Sequence, residues 1–588
     1  MHFSNLSWLT VAIITSQNTV VAAPPFRPYG SSRDRPNNRV SSITTTKSAL
    51  WPPSSTAPSL STSGSSATNS SLSGSSPSGP VPVGSATVLH VQSSAPINAP
   101  HVPGDFVGFG FETAFLNNYA VGTFSQNLIN SVAKRLSSPV IIRIGGTSGD
   151  ILLIDPNQDE VKVCIDGDCP VGSSATYILG PSYFEEFRRF QNQHFTFQAP
   201  MGPDVNTTGS LAYVRRAYEA IGADRVAGIA LGNEVDLYAG QFGTTYTVAD
   251  YIYDALALED AITYPTTFEF LKSYLSGGGD ASTGFTVETA FSAGLNTNGR
   301  TKYAALHWYQ FPTSVEVYTP ETEQIYLMNH SAVTSKFSNG YTSALSYIQS
   351  AEPEVDYILS ESGSSLIGPP LEFQDAFGAA LWYVDFECYA MSLGVKREDA
   401  THRPAAYHSL WVPDDSTNDP ALGDQQNTGP QVRGPWFAMP MIADFVGKQP
   451  GAVVPILEQD LATAYAMYDP STSALSRIML VNLKFWSADV NGERVNITFD
   501  VPVSGSGQVT VKRLCADAGA HAQGYDVQGE NGVITWAGET WSYELDNGSG
   551  SLADGVPVSE TVEVCNSVAS ITLPDSEAAI VYFGGGAQ

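Results

Sequence analysis

From Gly104 to about Gly447, short apolar runs bounded by glycine alternate with longer stretches of helical periodicity. Runs of this length, apolar throughout, are what parallel strands covered on both faces require. The pattern predicts strands at Phe106 to Phe111, Val140 to Ile144, Phe195 to Ala199, Val226 to Leu231, Phe285 to Thr289, Tyr303 to Trp308, Tyr357 to Ser360 and around Ala405 to Leu410. Helical periodicity falls between most of them, at Phe124 to Leu136, Ser210 to Ile221, Val248 to Leu258, Ser343 to Gln349 and Phe373 to Leu393. Eight strand–helix units predict an α/β fold of the (β/α)8 barrel type with insertions. A doubly wound sheet is the alternative, but no G-x-G-x-x-G stands at a first strand-to-helix turn.

The period changes after Gly447. Arg477 to Leu483, Val495 to Phe499 and Ala578 to Phe583 read as strands separated by Gly, Asn, Asp and Ser turns, which predicts an antiparallel β-sandwich. Ala86 to Gln92 alternates like an edge strand and precedes the barrel without a helical partner. The expected organisation is a signal peptide over 1–23 and a Ser/Thr/Pro-rich linker or stalk over 24–84. Strands joining the β-domain follow over 85–103, then the barrel over 104–447 and the β-sandwich over 448–588.

A barrel takes its chemistry from the carboxyl ends of its strands. Here those ends read Gly108-Phe-Gly-Phe-Glu112, Ile142-Arg143-Ile-Gly-Gly146, Gly232-Asn233-Glu234, His307-Trp308-Tyr309 and Ser360-Glu361. Alone, Glu234 is a solvated acid capping the next helix. A second strand that ends in Glu361 makes a two-carboxylate reaction centre the better reading, because two acids at strand ends can divide acid and base work between them.

Composition narrows the partners. The chain has 588 residues, 42% hydrophobic, with a net charge of -30. That charge and the lack of a basic run argue against nucleic acid, anionic membrane surfaces and highly sulfated polysaccharide. No segment reaches the ~18 apolar residues of a membrane helix, whereas Leu6 to Ile14 followed by Val20-Val-Ala-Ala23 reads as a cleaved export signal, so a secreted, extracellular protein is expected. Five cysteines fit export: Cys164 with Cys169 around a small loop, Cys515 with Cys565 in the β-domain, and Cys388 as a buried thiol. Sequons at Asn69, Asn206, Asn329, Asn496 and Asn547 agree with it. Motifs for zinc hydrolases, esterases and phosphate-binding loops are missing, and the scattered histidines, with His307, His402 and His408, read as hydrogen-bonded structural residues, so no cofactor or metal is expected.

Through Ile142-Arg-Ile-Gly-Gly146, Gly232-Asn-Glu-Val-Asp236 and Leu359-Ser-Glu-Ser-Gly363, followed by a β-domain, the chain after about Ser85 resembles glycoside hydrolase family 79, the β-glucuronidase and heparanase family of retaining clan A glycosidases. The resemblance implies Glu234 as general acid/base and Glu361 as nucleophile, with Asn233 reaching the sugar 2-hydroxyl and Glu112 binding sugar hydroxyls. It points to Gly368 in the loop after the nucleophile and to Tyr407 for a substrate carboxylate. From its strand end, Arg143 is placed to hold Glu361 ionised and Tyr309 to donate to the same carboxylate; a structural ion pair for Arg143 and a loop cap for Glu112 stay open. The loop Thr147-Ser-Gly-Asp150 departs from the family's common pattern. The implied protein is a retaining exo-β-glucuronidase acting on glucuronic acid, with or without a 4-O-methyl group, in glycans or small glucuronides. The alternatives are a heparanase-like endo-enzyme, another exo-glycosidase of the clan, and a non-catalytic glycan-binding protein.

Overall fold

In the computed structural model, residues 86–165, 176–202, 205–243, 245–273, 284–312, 315, 317–366, 373–404, 406–414, 429–490, 492–503, 507–524 and 533–583 are described. Eight parallel strands close a barrel: β1 Val107–Glu112, β2 Ile141–Gly145, β3 His194–Ala199, β4 Val226–Leu231, β5 Phe268–Lys272, β6 Thr301–Phe311, β7 Asp356–Ser365 and β8 Glu398–His402. Each strand pairs with its neighbour in sequence, and β8 returns to β1. With both faces covered, β1 and β2 tolerate near-continuous apolar sequence.

Two strands lie elsewhere than expected. Phe285 to Thr289 belongs instead to the start of a helix, Val287–Ser292, because Thr286 and Thr289 form a reciprocal cap across its first turn. The fifth strand is Phe268–Lys272, whose Glu269 and Lys272 are fully buried. Similarly, the region around Ala405 to Leu410 is a turn in its described part, and the eighth strand is Glu398–His402. Charge hides both strands in the sequence: Arg397 sits 3.0 Å from Asp399 and 3.6 Å from Glu269, an ionic cluster inside the barrel in place of a hydrophobic run.

The β-domain has one nine-stranded antiparallel sheet and a three-stranded sheet. In the latter, Thr87–Val88 runs parallel to Asn496–Pro502, which pairs antiparallel with Val568–Pro574. Successive residues of Glu577–Tyr582 serve different cores. Ala578, Ile580 and Tyr582 join the core shared with the barrel, whereas Ala579 and Val581 fill the space between the two sheets. Against the inner sheet lies the helix Phe377–Leu393, buried nearly all round as its apolar sequence demands. Tyr465 from the sheet donates a 2.7 Å hydrogen bond to Asp385 on that helix. Barrel and inner sheet therefore share one continuous apolar interior.

Cys515 and Cys565 are free, a correction to the expected staple: Cys515 lies in Gln508–Ala516, its Sγ 3.5 Å from Thr535, and Cys565 is exposed beyond the neighbouring strand Glu560–Glu563. Cys164 is disulfide-bonded, and Cys169 lies outside the described residues. Cys388 is a buried thiol. No helix among the described residues is long and apolar enough to cross a membrane.

Candidate active site

Glu234 is delivered by a strained turn. β4 ends at Leu231, Gly232 follows at φ 78°, and Glu234 itself adopts the left-handed conformation at φ 48°, ψ 50°. That geometry disfavours a residue with a Cβ by ~1–3 kcal/mol and persists only where its surroundings enforce it. Two anchors do so. On one side Asp150 accepts hydrogen bonds from the backbone N–H groups of Asn233 at 3.1 Å and Met201 at 3.2 Å. On the other, Asp236 pairs with Lys272 at 3.2 Å and accepts from the Ser273 amide at 2.8 Å, which ties the turn to the end of β5.

Glu361 is aimed by a shift of register. Leu306 pairs with Leu359, but His307 pairs with Glu361, so Ser360 is an extra residue that rotates the following side chain into the barrel mouth. There Arg143 donates to Glu361 at 2.7 Å and, through its other nitrogen, to the Asn233 side-chain oxygen at 2.6 Å. Tyr309 donates to the second Glu361 oxygen at 2.5 Å. The His307 Nδ1 stands 2.8 Å from Glu234 and 3.6 Å from Glu361, and oxygen atoms of the two glutamates approach within 4.8 Å.

These partners separate the two acids. Burial acts to raise Glu361, but the neighbouring His307 and Arg143 charges and the Tyr309 and Arg143 hydrogen bonds outweigh it and hold the carboxyl at about 2. For Glu234 burial prevails over the opposing His307 contact, the Glu361 charge adds to it, and its pKa is raised. An ionised carboxylate beside a protonated one, at this spacing, can carry out nucleophilic attack and leaving-group protonation together. Among the described residues, Glu234, His307 and Glu361 form the one group spaced to hold a cation, and that geometry is equally that of a hydrogen-bonded catalytic pair.

Glu112, at the end of β1, is half-buried beside the pair, and desolvation followed by the Glu361 charge raises its pKa. The Ser148 hydroxyl donates to it. Room for this acid depends on Gly146, where a Cβ would stand 2.4 Å from the Glu112 carboxyl carbon; at Gly145 a Cβ would stand 2.7 Å from the Arg143 guanidinium. The Gly-Gly that ends β2 is thus dictated by the two charged groups it passes. Tyr407 is half-buried on the loop after β8, makes no hydrogen bond among the described residues, and has Arg433 and Asp375 as its charged neighbours. Gly368 lies outside the described residues.

Residues 464–580 match the family model described as the glycosyl hydrolase family 79 C-terminal beta domain. The chain is 25% identical over 527 residues to a protein of Neurospora crassa named beta-glucuronidase, covering 79% of this chain and 89% of that one. It is 26% identical over 541 residues to one of the same name from Aspergillus niger, covering 84% and 94%. The chain resembles glycoside hydrolase family 79. Among solved structures, a 4-O-alpha-L-rhamnosyl-beta-D-glucuronidase from Fusarium oxysporum 12S shares the fold at a TM-score of 0.65 and 21% identity, with 84% of this chain and all of that one covered. The chain is a glycoside hydrolase with a TIM barrel and a β-domain.

The sequence left three supports unassigned. The divergent loop Thr147-Ser-Gly-Asp150 holds two of them: Ser148 engages Glu112, and Asp150, whose carboxyl burial pushes up to about 7, orients Asn233. The third is His307, read as a structural histidine and found between the two glutamates. Its place at the end of the expected strand Tyr303 to Trp308 was the available signal.

Proposed function

We propose that the protein is a secreted, retaining exo-β-glucuronidase that removes terminal β-linked glucuronic acid, with or without a 4-O-methyl group, from glycans or small glucuronides. The observation that carries the reading is the pair Glu234 and Glu361, with oxygens within 4.8 Å of one another and pKa values driven in opposite directions. In retaining glycosidases the two carboxyl groups stand ~5–5.5 Å apart, and inverting enzymes need a wider gap to admit water. The names of the Neurospora and Aspergillus relatives favour a glucuronide as the substrate. The hydrophobic segment before Pro24 favours export.

In the proposed mechanism the ionised Glu361 attacks the anomeric carbon. The bond to the leaving oxygen breaks as Glu234 transfers its proton to that oxygen, and a glycosyl ester on Glu361 results. Loss of the negative charge on Glu361 lowers the pKa of Glu234, which then takes a proton from the incoming water as the ester is cleaved and Glu361 leaves as carboxylate. Arg143 supports this cycle by favouring the ionised nucleophile. It also engages the Asn233 oxygen and leaves the Asn233 N–H groups to the sugar 2-hydroxyl, a contact that strengthens at the transition state. Glu112 and Ser148 line the side nearest β1 and suit hydroxyl recognition.

Time-resolved proton NMR of an aryl β-glucuronide tests both halves. The β-anomer of glucuronic acid is expected first, with the α-anomer growing later by mutarotation. First appearance of the α-anomer would overturn retention. Turnover of aryl glucosides or xylosides with none of the glucuronide would overturn the sugar assignment.

A further inference from the structure

Arg403 is the first residue after β8, and the β8–β1 register, His402 opposite Phe111, sets it beside Glu112 at the barrel mouth. Its backbone is locked: the Arg403 N–H donates to the Ser409 hydroxyl at 3.0 Å, and that hydroxyl donates back to the Arg403 carbonyl at 2.7 Å. Behind this turn the buried Arg433 guanidinium donates to the Ala406 carbonyl. The turn is packed on the nucleophile strand, since the His408 ring lies 5.6 Å from the Tyr309 ring and 3.2 Å from where a Cβ on Gly363 would stand. A rigid loop thus carries Arg403 between the hydroxyl-binding side of the site and the nucleophile side.

What singles Arg403 out is its guanidinium. Its Nε is buried without a partner, and its nitrogens make no hydrogen bond or ion pair among the described residues. The other cations near the strand ends are engaged: Arg143 by Glu361 and Asn233, Lys272 by Asp236, and Lys336 by the Tyr309 carbonyl. The charge of Arg403 acts on Glu112, on Tyr309 and on His408, so it is felt on both sides of the mouth. The ionised Glu361 already occupies this mouth, and the chain carries -30 overall. An anionic sugar that enters there meets repulsion that a neutral one does not. An unengaged planar guanidinium, with two N–H groups to spare, fits a carboxylate in bidentate fashion.

We propose that Arg403 receives the carboxylate of the substrate sugar and is the residue that separates a glucuronide from the corresponding glucoside. The inference rests on the glucuronidase reading above and deepens it.

The test compares kcat/KM for a nitrophenyl β-glucuronide and a nitrophenyl β-glucoside in the full-length enzyme, Arg403→Gln and Arg403→Lys. Arg403→Gln is expected to lower kcat/KM on the glucuronide on the order of 100-fold, the scale of a lost bidentate charged contact, and to leave the glucoside rate within about threefold or higher. Arg403→Lys keeps the charge without the fork and is expected to fall between. Equal proportional losses on both substrates in the lysine variant, or an unchanged glucuronide rate in Arg403→Gln, overturn the proposal while the glucuronidase reading stands. Absence of glucuronide turnover by the unaltered enzyme overturns the glucuronidase reading and, with it, the assignment of Arg403.

Discussion

Strands β5 and β8 of the barrel and the strand Glu577–Tyr582 of the β-domain are equally buried, yet they reach burial by opposite means. The β-domain strand places Ala578 to Tyr582 against two apolar cores. The barrel strands bring Glu269, Lys272, Glu398 and Asp399 inside, where Lys272 pairs with Asp236, Arg397 with Glu269 and Asp399, and Ser362 donates to Glu398. Apolar burial stabilises in proportion to area and asks little of geometry. Buried charge stabilises little by itself, because desolvation offsets most of the attraction, but it fixes where its partners stand. In this chain the ionic partners surround the reaction centre: Lys272 holds Asp236, two residues beyond Glu234, and Glu398 accepts a hydrogen bond from Ser362, the neighbour of Glu361.

The comparison makes function and stability separable, and the largest effect belongs to the proposed catalytic pair. Replacing Glu361 by Gln keeps shape and removes the nucleophile, so kcat on an activated aryl glycoside should fall on the order of 10^5-fold or more with the melting temperature little changed. Activity near that of the unaltered enzyme would sink the assignment. Next is Arg397→Met, which leaves Glu269 and Asp399 without their cation inside the barrel. Removal of one partner from a buried ionic cluster costs about 3–5 kcal/mol, to be measured by denaturant unfolding. A loss below 1 kcal/mol would show that the cluster is not what holds β5 and β8 together.

The same contrast explains what the chain disclosed in advance. β4 matched its expected bounds, β1, β2, β3 and β6 lay within three residues, and β7 ran five residues further at its carboxyl end, because each carries an apolar run at its buried start or centre, such as Ile141-Ile142 or Tyr357-Ile-Leu359. β5 and β8 escaped because Phe-Glu-Phe-Leu-Lys and Glu-Asp-Ala-Thr-His read as surface sequence unless their charge partners, distant along the chain, are known. The two glutamates were legible as strand ends, and so were Arg143 and Tyr309. Asp150 and His307 were not, since each acts through a residue more than seventy positions away, Asn233 and Glu234 respectively. Motif reading finds groups at fixed spacing along the chain, and these supports exist only across the barrel.

A third effect sharpens the ionic side through pH. In the proposed mechanism, activity requires Glu361 ionised and Glu234 protonated. With Glu361 held at about 2 and Glu234 raised, kcat/KM should be maintained through the acidic range and decline as pH rises through the Glu234 pKa. Arg143→Gln removes a charge and a hydrogen bond that lower Glu361, so the nucleophile's pKa must rise and the acid limb must move to higher pH. An acid limb that stays in place while kcat falls would assign Arg143 to architecture alone.

The smallest effect tests the apolar side at single-residue resolution. In Val568–Pro574 of the outer sheet, Ala569, Ile571 and Leu573 point into the sandwich, and Ser570 and Thr572 point to solvent. Ile571→Val removes one buried methylene from a packed interior and should cost about 0.5–1.5 kcal/mol. Thr572→Ala loses the exposed hydrogen bond to Thr498, 3.0 Å across the strand pair, and such cross-strand contacts contribute roughly 0.2–1 kcal/mol, with this one at the lower end because water competes for both hydroxyls. Urea unfolding of both variants reads the difference directly. A greater loss at Thr572 than at Ile571 would mean that the outward face of this sheet is covered in solution, and the contrast between an alternating outer sheet and a doubly buried inner one would fail.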